Sequence, residues 1–166
     1  MLEQRIEEVN KANHAFYAAF GNLDIGEMDT IWAHQDYVTC IHPGWTLRSG
    51  WPLVRDSWVL IFNNTFSMTF ELTDVTVQVA GDMAWVVCVE HITTHQSDEP
   101  QQAQVLATNL FERIGDEWLL IHHHGSAVMG EWPASSQRAR VDRGPSEGAR
   151  SASTESGPSH PITADP

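Results

Sequence analysis

Apolar residues recur every three or four positions at the start of the chain (Leu2, Ile6, Val9, Phe16, Phe20, with Asn13 in the same stripe). Glu3, Glu7, Glu8 and Lys11 fall elsewhere on the wheel, so the pattern predicts an amphipathic helix over about 2–20, closed by Gly21. Asp24 followed by Glu27 reads as a capping box, with Leu23 and Met28 as its hydrophobic staple, and predicts a short second helix that turns Ile31 and Trp32 inward. Pro52, just after Gly50 and Trp51, suits the first turn of a third helix. Trp51, Val54, Trp58, Ile61 and Phe62 form its stripe, and Asn63 and Asn64 mark its end. The intervening DYVTCIHPGWTLRSG predicts a short strand, a Pro-Gly turn and a second short strand.

After the third helix the hydrophobic period falls to two. Met68, Phe70 and Leu72 alternate in one phase and Val75, Val77 and Val79 in the other, so a bulge or sharp bend is required near Thr73 and Asp74. Gly81-Asp82 and Gly115-Asp116 are turns, and strands are expected over 83–95, 102–114 and 117–129. Three helices followed by a long antiparallel meander is an α+β order.

From Pro133 onward large apolar side chains almost vanish, and Pro, Ser, Gly and Arg dominate. Such a segment cannot bury enough surface to offset its ordering entropy, so the expected organisation is one domain over 1–132 and a disordered tail over 133–166. The 166 residues carry 9 Lys and Arg against 22 Asp and Glu, a formal charge of −13. The tail's acids and arginines cancel, which leaves that charge on the domain. A surface of this sign repels phosphates, which excludes nucleic acid as a partner and favours a neutral or cationic ligand. Cys40 and Cys88 form no CxxC pattern and sit in apolar runs, as buried free thiols do. No uncharged stretch approaches the ~20 residues of a membrane span, so a soluble, cytoplasmic protein is expected.

Several segments carry a family resemblance: CIHPGW at 40–45, GWPLVRDSWVLIF at 50–62, AWVVCVEHIT at 84–93, TNLFERIGDEW at 108–118 and LIHHHGSAV at 120–128. Over about 1–130 the chain resembles the SnoaL-like family of the nuclear transport factor 2 (NTF2) and ketosteroid isomerase superfamily. The resemblance implies a cone-shaped, cystatin-like roll in which three N-terminal helices pack on a curved, bulged, mainly antiparallel sheet. It does not fix a reaction, because this superfold carries isomerases, cyclases, hydrolases, dehydratases and silent binding modules.

Strand alternation puts Trp118, Leu120, His122, His124 and Ser126 on one face of the last strand, with Leu119, Ile121, His123 and Ala127 on the other. The resemblance implies that the first set faces the cavity, which makes His124 and His122 the expected catalytic residues and leaves His123 out. Comparison with the association domain of calcium/calmodulin-dependent kinase implies the same for His91 and Asn109. His42, at the Pro-Gly turn, is expected to reach a ligand from the rim. Tyr17 and Asp36 are the nearest equivalents of the ketosteroid isomerase donor and base. The imidazoles suit proton transfer at neutral pH. Trp58, Trp118 and Ser126, with Tyr17, His42 and Asn109, complete the expected binding set.

These residues predict a cavity for a small apolar or ring-bearing molecule, with His-mediated proton transfer of isomerase, cyclase or dehydratase type. The alternative is a ligand-binding or oligomerisation module without turnover. No cofactor motif is readable. A zinc-type site would need His42, His91, His122 and His124 to converge, and no HExxH or Cys-rich pattern supports a metal. A homodimer is expected through the convex sheet face, with Val86, Cys88, Ile92, Leu106 and Leu110 in the interface.

Overall fold

The computed structural model describes residues 1–95 and 99–130. The tail expected over 133–166 lies outside the described residues.

Helix α1 (Leu2–Asn22) buries Val9, Asn13, Phe16, Tyr17, Ala19 and Phe20, one face of the predicted stripe. It runs past Gly21, and the chain turns instead at Leu23, whose φ of 54° is left-handed. Gly21 stays helical, and a Cβ there would make only ordinary contacts with the Met68 carbonyl at 3.6 Å and the Phe70 ring at 3.8 Å. Helix α2 (Ile25–Ile31) is capped by the Asp24 carboxylate, which accepts from the Glu27 N–H at 2.9 Å, as the capping box predicts. Strands β1 (Thr39–Ile41) and β2 (Arg48–Ser49) flank the Pro-Gly turn. Helix α3 (Trp51–Asn63) follows, with Pro52 in its first turn.

The long strands β3 (Met68–Ala80), β4 (Met83–Thr94), β5 (Gln101–Ile114) and β6 (Glu117–Ala127) form the meander. The six strands lie in the order β2-β1-β6-β5-β4-β3. β1 runs parallel to β6, and every other neighbouring pair is antiparallel. The predicted irregularity in β3 falls between Thr73 and Thr76, with Asp74 at φ 53°. The fold is α+β, a cone-shaped roll of three helices on a curved mixed sheet.

An aromatic cluster fills the space between helices and sheet. Trp58 is fully buried and stands edge-on to Phe16 and Phe20 at centroid distances of 5.7 and 4.8 Å, while Phe20 meets Phe70 at 4.6 Å.

Two expected strand faces are corrected by the structure. In β4 the inward residues are Ala84, Val86, Cys88 and Glu90, while Trp85 and His91 point to the outer face. Val86 and Cys88 therefore leave the expected interface set, since both are fully buried in the core. In β6, Phe111 pairs with Leu120 and Leu110 with His122, so Ile121 is an extra residue in a bulge. The phase reverses there. Trp118 and Leu120 point inward before the bulge and His123 and Gly125 after it, which carries His122, His124 and Ser126 to the outer face.

Candidate functional site

Four elements deliver polar groups to the buried side of the sheet. α1 supplies Asn13 and Tyr17 one turn apart, β4 supplies Cys88 and Glu90 two residues apart, and β5 and β6 supply the cross-strand pair Asn109 and His123. They form one chain of hydrogen bonds. The Tyr17 hydroxyl donates to Glu90 Oε1 at 2.6 Å, Asn109 Nδ2 donates to Asn13 Oδ1 at 2.8 Å and reaches Tyr17 Oη at 3.3 Å, and His123 Nδ1 lies 2.6 Å from Asn109 Oδ1. The Cys88 thiol stands 3.4 Å from Tyr17 Oη.

Burial sets the electrostatics of this chain. It raises the Glu90 carboxyl to about 7, against a smaller lowering by the Tyr17 hydrogen bond. It also raises the Tyr17 phenol far above its ordinary value, with the Glu90 charge adding to the effect. His123 is held well below the usual imidazole range by burial first and by the neighbouring histidines second, so it is neutral. Tyr17 lines a cavity of about 620 Å³ between α1 and β3, and so does Leu72, the cross-strand neighbour of Glu90. His14, Phe70 and Gly21 complete its main walls.

A second group lies at the end of β1. His42 Nε2 is 2.9 Å from Ser57 Oγ, and Ser57 donates to the Val54 carbonyl at 2.6 Å, so the imidazole N–H donates to the serine oxygen. Burial lowers His42 to about 4, with Arg48 assisting. Its ring stands edge-on to Trp58 at 4.6 Å and 6.3 Å from His123.

The residues expected from sequence divide between the two faces. Tyr17, Asn109, His42 and Trp58 come together on the helix side, with His123 in place of the expected His122 and His124. Trp118 is also on that side, but its indole N–H reaches Glu8 at 3.3 Å, toward the start of α1. His122 bonds to Thr39 Oγ1 at 2.7 Å on the outer face, and burial lowers its pKa. His124 is next to it with ring centroids 6.2 Å apart, and Ser126 is exposed. His91 bonds to Thr73 Oγ1 at 2.9 Å on the same outer face. The four imidazoles considered for a metal thus do not converge: His42 is on one side of the sheet and the other three on the other. Asp36 is exposed and takes no part in the buried chain.

Glu90, His123, Asn13 and Cys88 are the members that the sequence reading missed. Glu90 carried a signal: it is the one acid in AWVVCVEHIT, and it shares the phase of Val86 and Cys88.

A family model for the SnoaL-like domain matches residues 9–130. The F-box protein SKIP8 of Arabidopsis thaliana is 31% identical over 117 residues, 70% of this chain and 48% of that protein, so the chain spans about half the length of this curated relative. Among solved structures, a candidate dehydratase of the NTF2-like family from Streptomyces avermitilis is 37% identical, with a TM-score of 0.73 over 78% of this chain and 100% of that one. A candidate calcium/calmodulin-dependent protein kinase type II association domain from Thiobacillus denitrificans is 30% identical, with a TM-score of 0.65 over 71% of this chain and 93% of that one.

Proposed function

The chain belongs to the SnoaL-like family of the NTF2-like superfamily, and from that premise we propose that it binds a small apolar or ring-bearing carbonyl compound beside α1 and moves a proton on it. The observation that carries this reading is the buried Tyr17–Glu90 hydrogen bond, in which Tyr17 lines the α1–β3 cavity and Glu90 stands behind it. A carboxyl raised to about 7 is divided between acid and base at neutral pH, which is the condition for taking a proton from a carbon next to a carbonyl and returning it elsewhere. Glu90 is the proton carrier and Tyr17 the hydroxyl between it and the bound molecule. The proton-transfer role assigned from sequence to His124, His122 and His91 passes to this pair, with His123 as the neutral imidazole behind it. Asn109 holds that ring, and His42 and Trp58 pack beside it.

The reaction class is isomerisation or dehydration, in keeping with the dehydratase candidate among the similar structures. The formal charge of −13 favours a neutral or cationic ligand over a polyanion. The test is a thermal-shift screen of ring-bearing carbonyl compounds against phosphorylated metabolites, followed by mass spectrometry of the products. Glu90→Gln should keep ligand stabilisation and lose turnover. Turnover that survives Glu90→Gln, or stabilisation by phosphorylated compounds alone, would overturn the reading.

A second reading, a module that assembles without turnover, is favoured by one observation: Trp85 and Leu106 are 39% and 48% exposed on the outer sheet face. A homodimer through that face is compatible with either reading. No helix among the described residues is long and apolar enough to cross a membrane. A cytoplasmic location is part of the proposal, supported by two buried cysteines that are both free thiols.

A further inference from the structure

One flank of α1 carries His14, Tyr17, Ala18 and Gly21 at helical spacing, and all four line the α1–β3 cavity. Across from them runs the inward row of β3, Met68, Phe70 and Leu72. The contacts fix the order along the cavity. Gly21 faces Met68 and Phe70, the Tyr17 ring meets Phe70 at a centroid distance of 5.4 Å, and Tyr17 Oη reaches Glu90, the cross-strand partner of Leu72. His14, one turn before Tyr17, therefore stands at the Leu72 end, about 4.5 Å further along the helix axis.

Among the described residues the cavity lining holds no Asp, Glu, Lys or Arg, although the chain carries a formal charge of −13. A neutral ligand suits such a wall. The Tyr17 O–H is already given to Glu90, and the Asn22 amide donates to Glu27 Oε2 at 3.0 Å. His14 is only half committed. Its Nδ1 lies 2.7 Å from the Asn10 carbonyl oxygen one turn back, and because a carbonyl oxygen only accepts, Nδ1 carries the proton of this bond. That bond fixes the ring and leaves Nε2 for the ligand, as a lone pair when the imidazole is neutral and as an N–H when it is charged.

This constraint selects the group that His14 meets. A carbonyl oxygen accepts only, so it pairs with the charged ring alone. A hydroxyl accepts from the charged ring and donates to the neutral one, and so suits both states. With the α carbon of a bound carbonyl compound against Tyr17 Oη, the separation of about 5–6 Å between Cβ atoms one turn apart brings His14 to an oxygen on the next carbon.

We infer that the substrate is a neutral β-hydroxy carbonyl compound and that His14 is the catalytic acid that protonates its departing hydroxyl. This role rests on the proton transfer proposed for Glu90 and Tyr17, and it selects dehydration over isomerisation. The α C–H bond breaks, and its proton goes to Tyr17 Oη as the Tyr17 proton passes to the Glu90 carboxylate across 2.6 Å. The C–H electron pair becomes the new C=C bond. The C–O bond breaks with its pair on oxygen, and the charged His14 gives that oxygen the Nε2 proton, so water leaves. Glu90 ends protonated and His14 neutral, and proton exchange with solvent restores both. The Nδ1 bond to Asn10 persists throughout, which holds the acid in place before and after the step.

The experiment uses the full chain and three probes: benzylacetone, which has no β-hydroxyl; the β-hydroxy ketone formed by adding water to benzylideneacetone; and the acetate ester of that ketone, whose acetate leaves without needing a proton. Wild type should exchange the α hydrogens of benzylacetone for deuterium in heavy water, read by NMR, and should release benzylideneacetone from the hydroxy ketone, read by absorbance. His14 is exposed, so His14→Gln leaves the core as it is. That variant should keep the exchange and the loss of acetate within about two-fold of wild type, and dehydrate the hydroxy ketone slower by roughly 100-fold or more. Glu90→Gln should lose all three reactions. Dehydration at the wild-type rate in His14→Gln, or an equal fall in all three reactions, would overturn the role of His14. Wild type that exchanges benzylacetone and leaves the hydroxy ketone intact would overturn it while the proton-transfer reading stands, and wild type that fails even the exchange would overturn both.

Discussion

The Tyr17 hydroxyl on α1 donates to the Glu90 carboxylate on β4 over 2.6 Å, across a sequence separation of 73 residues. This contact ties the first helix to β4, the strand next to the β3 edge of the sheet, through a carboxyl whose pKa burial raises. Its consequences are therefore read in pH as well as in stability.

Glu90 has a folded pKa of about 7 against an ordinary value of 4.5, so the folded protein binds this proton more tightly than the unfolded chain. The stabilisation is fully present below the unfolded value and is lost as pH rises through the folded one, by roughly 3 kcal/mol in all. His42 acts in the opposite sense. Its folded pKa of about 4 lies below the ordinary 6.5, so its contribution is present above 6.5 and lost as pH falls toward 4. His123, also held below the usual imidazole range, adds to the His42 slope, and the Glu90 slope opposes both over most of that interval. Glu90→Gln should remove the opposing slope. Chemical denaturation across this range should show the variant losing stability steadily on acidification, and a variant curve parallel to wild type would contradict the assignment.

The Tyr17 hydrogen bond holds Glu90 below the value that burial alone would give it. Tyr17→Phe should therefore move the Glu90 carboxyl titration upward from about 7, as read by carbon NMR of the labelled side chain. His124→Ala and Ser126→Ala lie beyond the sheet and should leave that midpoint unmoved. Equal shifts in all three variants would mean that the two faces are not electrically separate.

The helices, the meander and the β3 bend were legible because each leaves a periodic trace: the stripe from Val9 to Phe20, the capping box at Asp24, and the phase change across Thr73 and Asp74. The site was legible only where that phase survives. Asn109 alternates cleanly with Val105, Ala107 and Phe111, and all four are buried. The β6 bulge could not be read, because Leu119, Leu120 and Ile121 are all apolar and such a run has no period of two to break. One uncounted residue was enough to exchange His123 with His122 and His124. β4 failed for a related reason. Both of its faces are apolar up to Val89, so nothing in its pattern tells which one meets the helices, and Trp85 is a poor guide because it is the outward residue.

Gly50 precedes α3 with φ 83° and ψ 143°, a region open to glycine and strained for any residue with a Cβ. Its N–H also closes onto the Val38 carbonyl at 2.8 Å, so the conformation is held by the fold. Gly50→Ala should lower stability by roughly 1–3 kcal/mol through backbone strain, with no steric clash as the nearest outside atom to a new Cβ is 3.6 Å away. Unchanged thermal unfolding would show that the turn relaxes freely.

The outer sheet face gives the last expectation. Trp85 pairs with Leu110 across β4 and β5, and Val89 pairs with Leu106, so their side chains form one apolar patch on two neighbouring strands. Leu106 at 48% and Trp85 at 39% exposure stand out of it, and apolar area of this kind on a flat face is what a two-fold contact between identical chains would cover. Leu106→Asp should convert a dimer to a monomer in light scattering while leaving the circular dichroism spectrum as it is, because that side chain supports nothing inside the fold. Val86→Asp is the contrast. Val86 is fully buried, and a charge there should unfold the domain, not merely separate its copies. Wild-type protein that is monomeric at tens of micromolar, or a Leu106→Asp variant that stays dimeric, would remove this face as the interface.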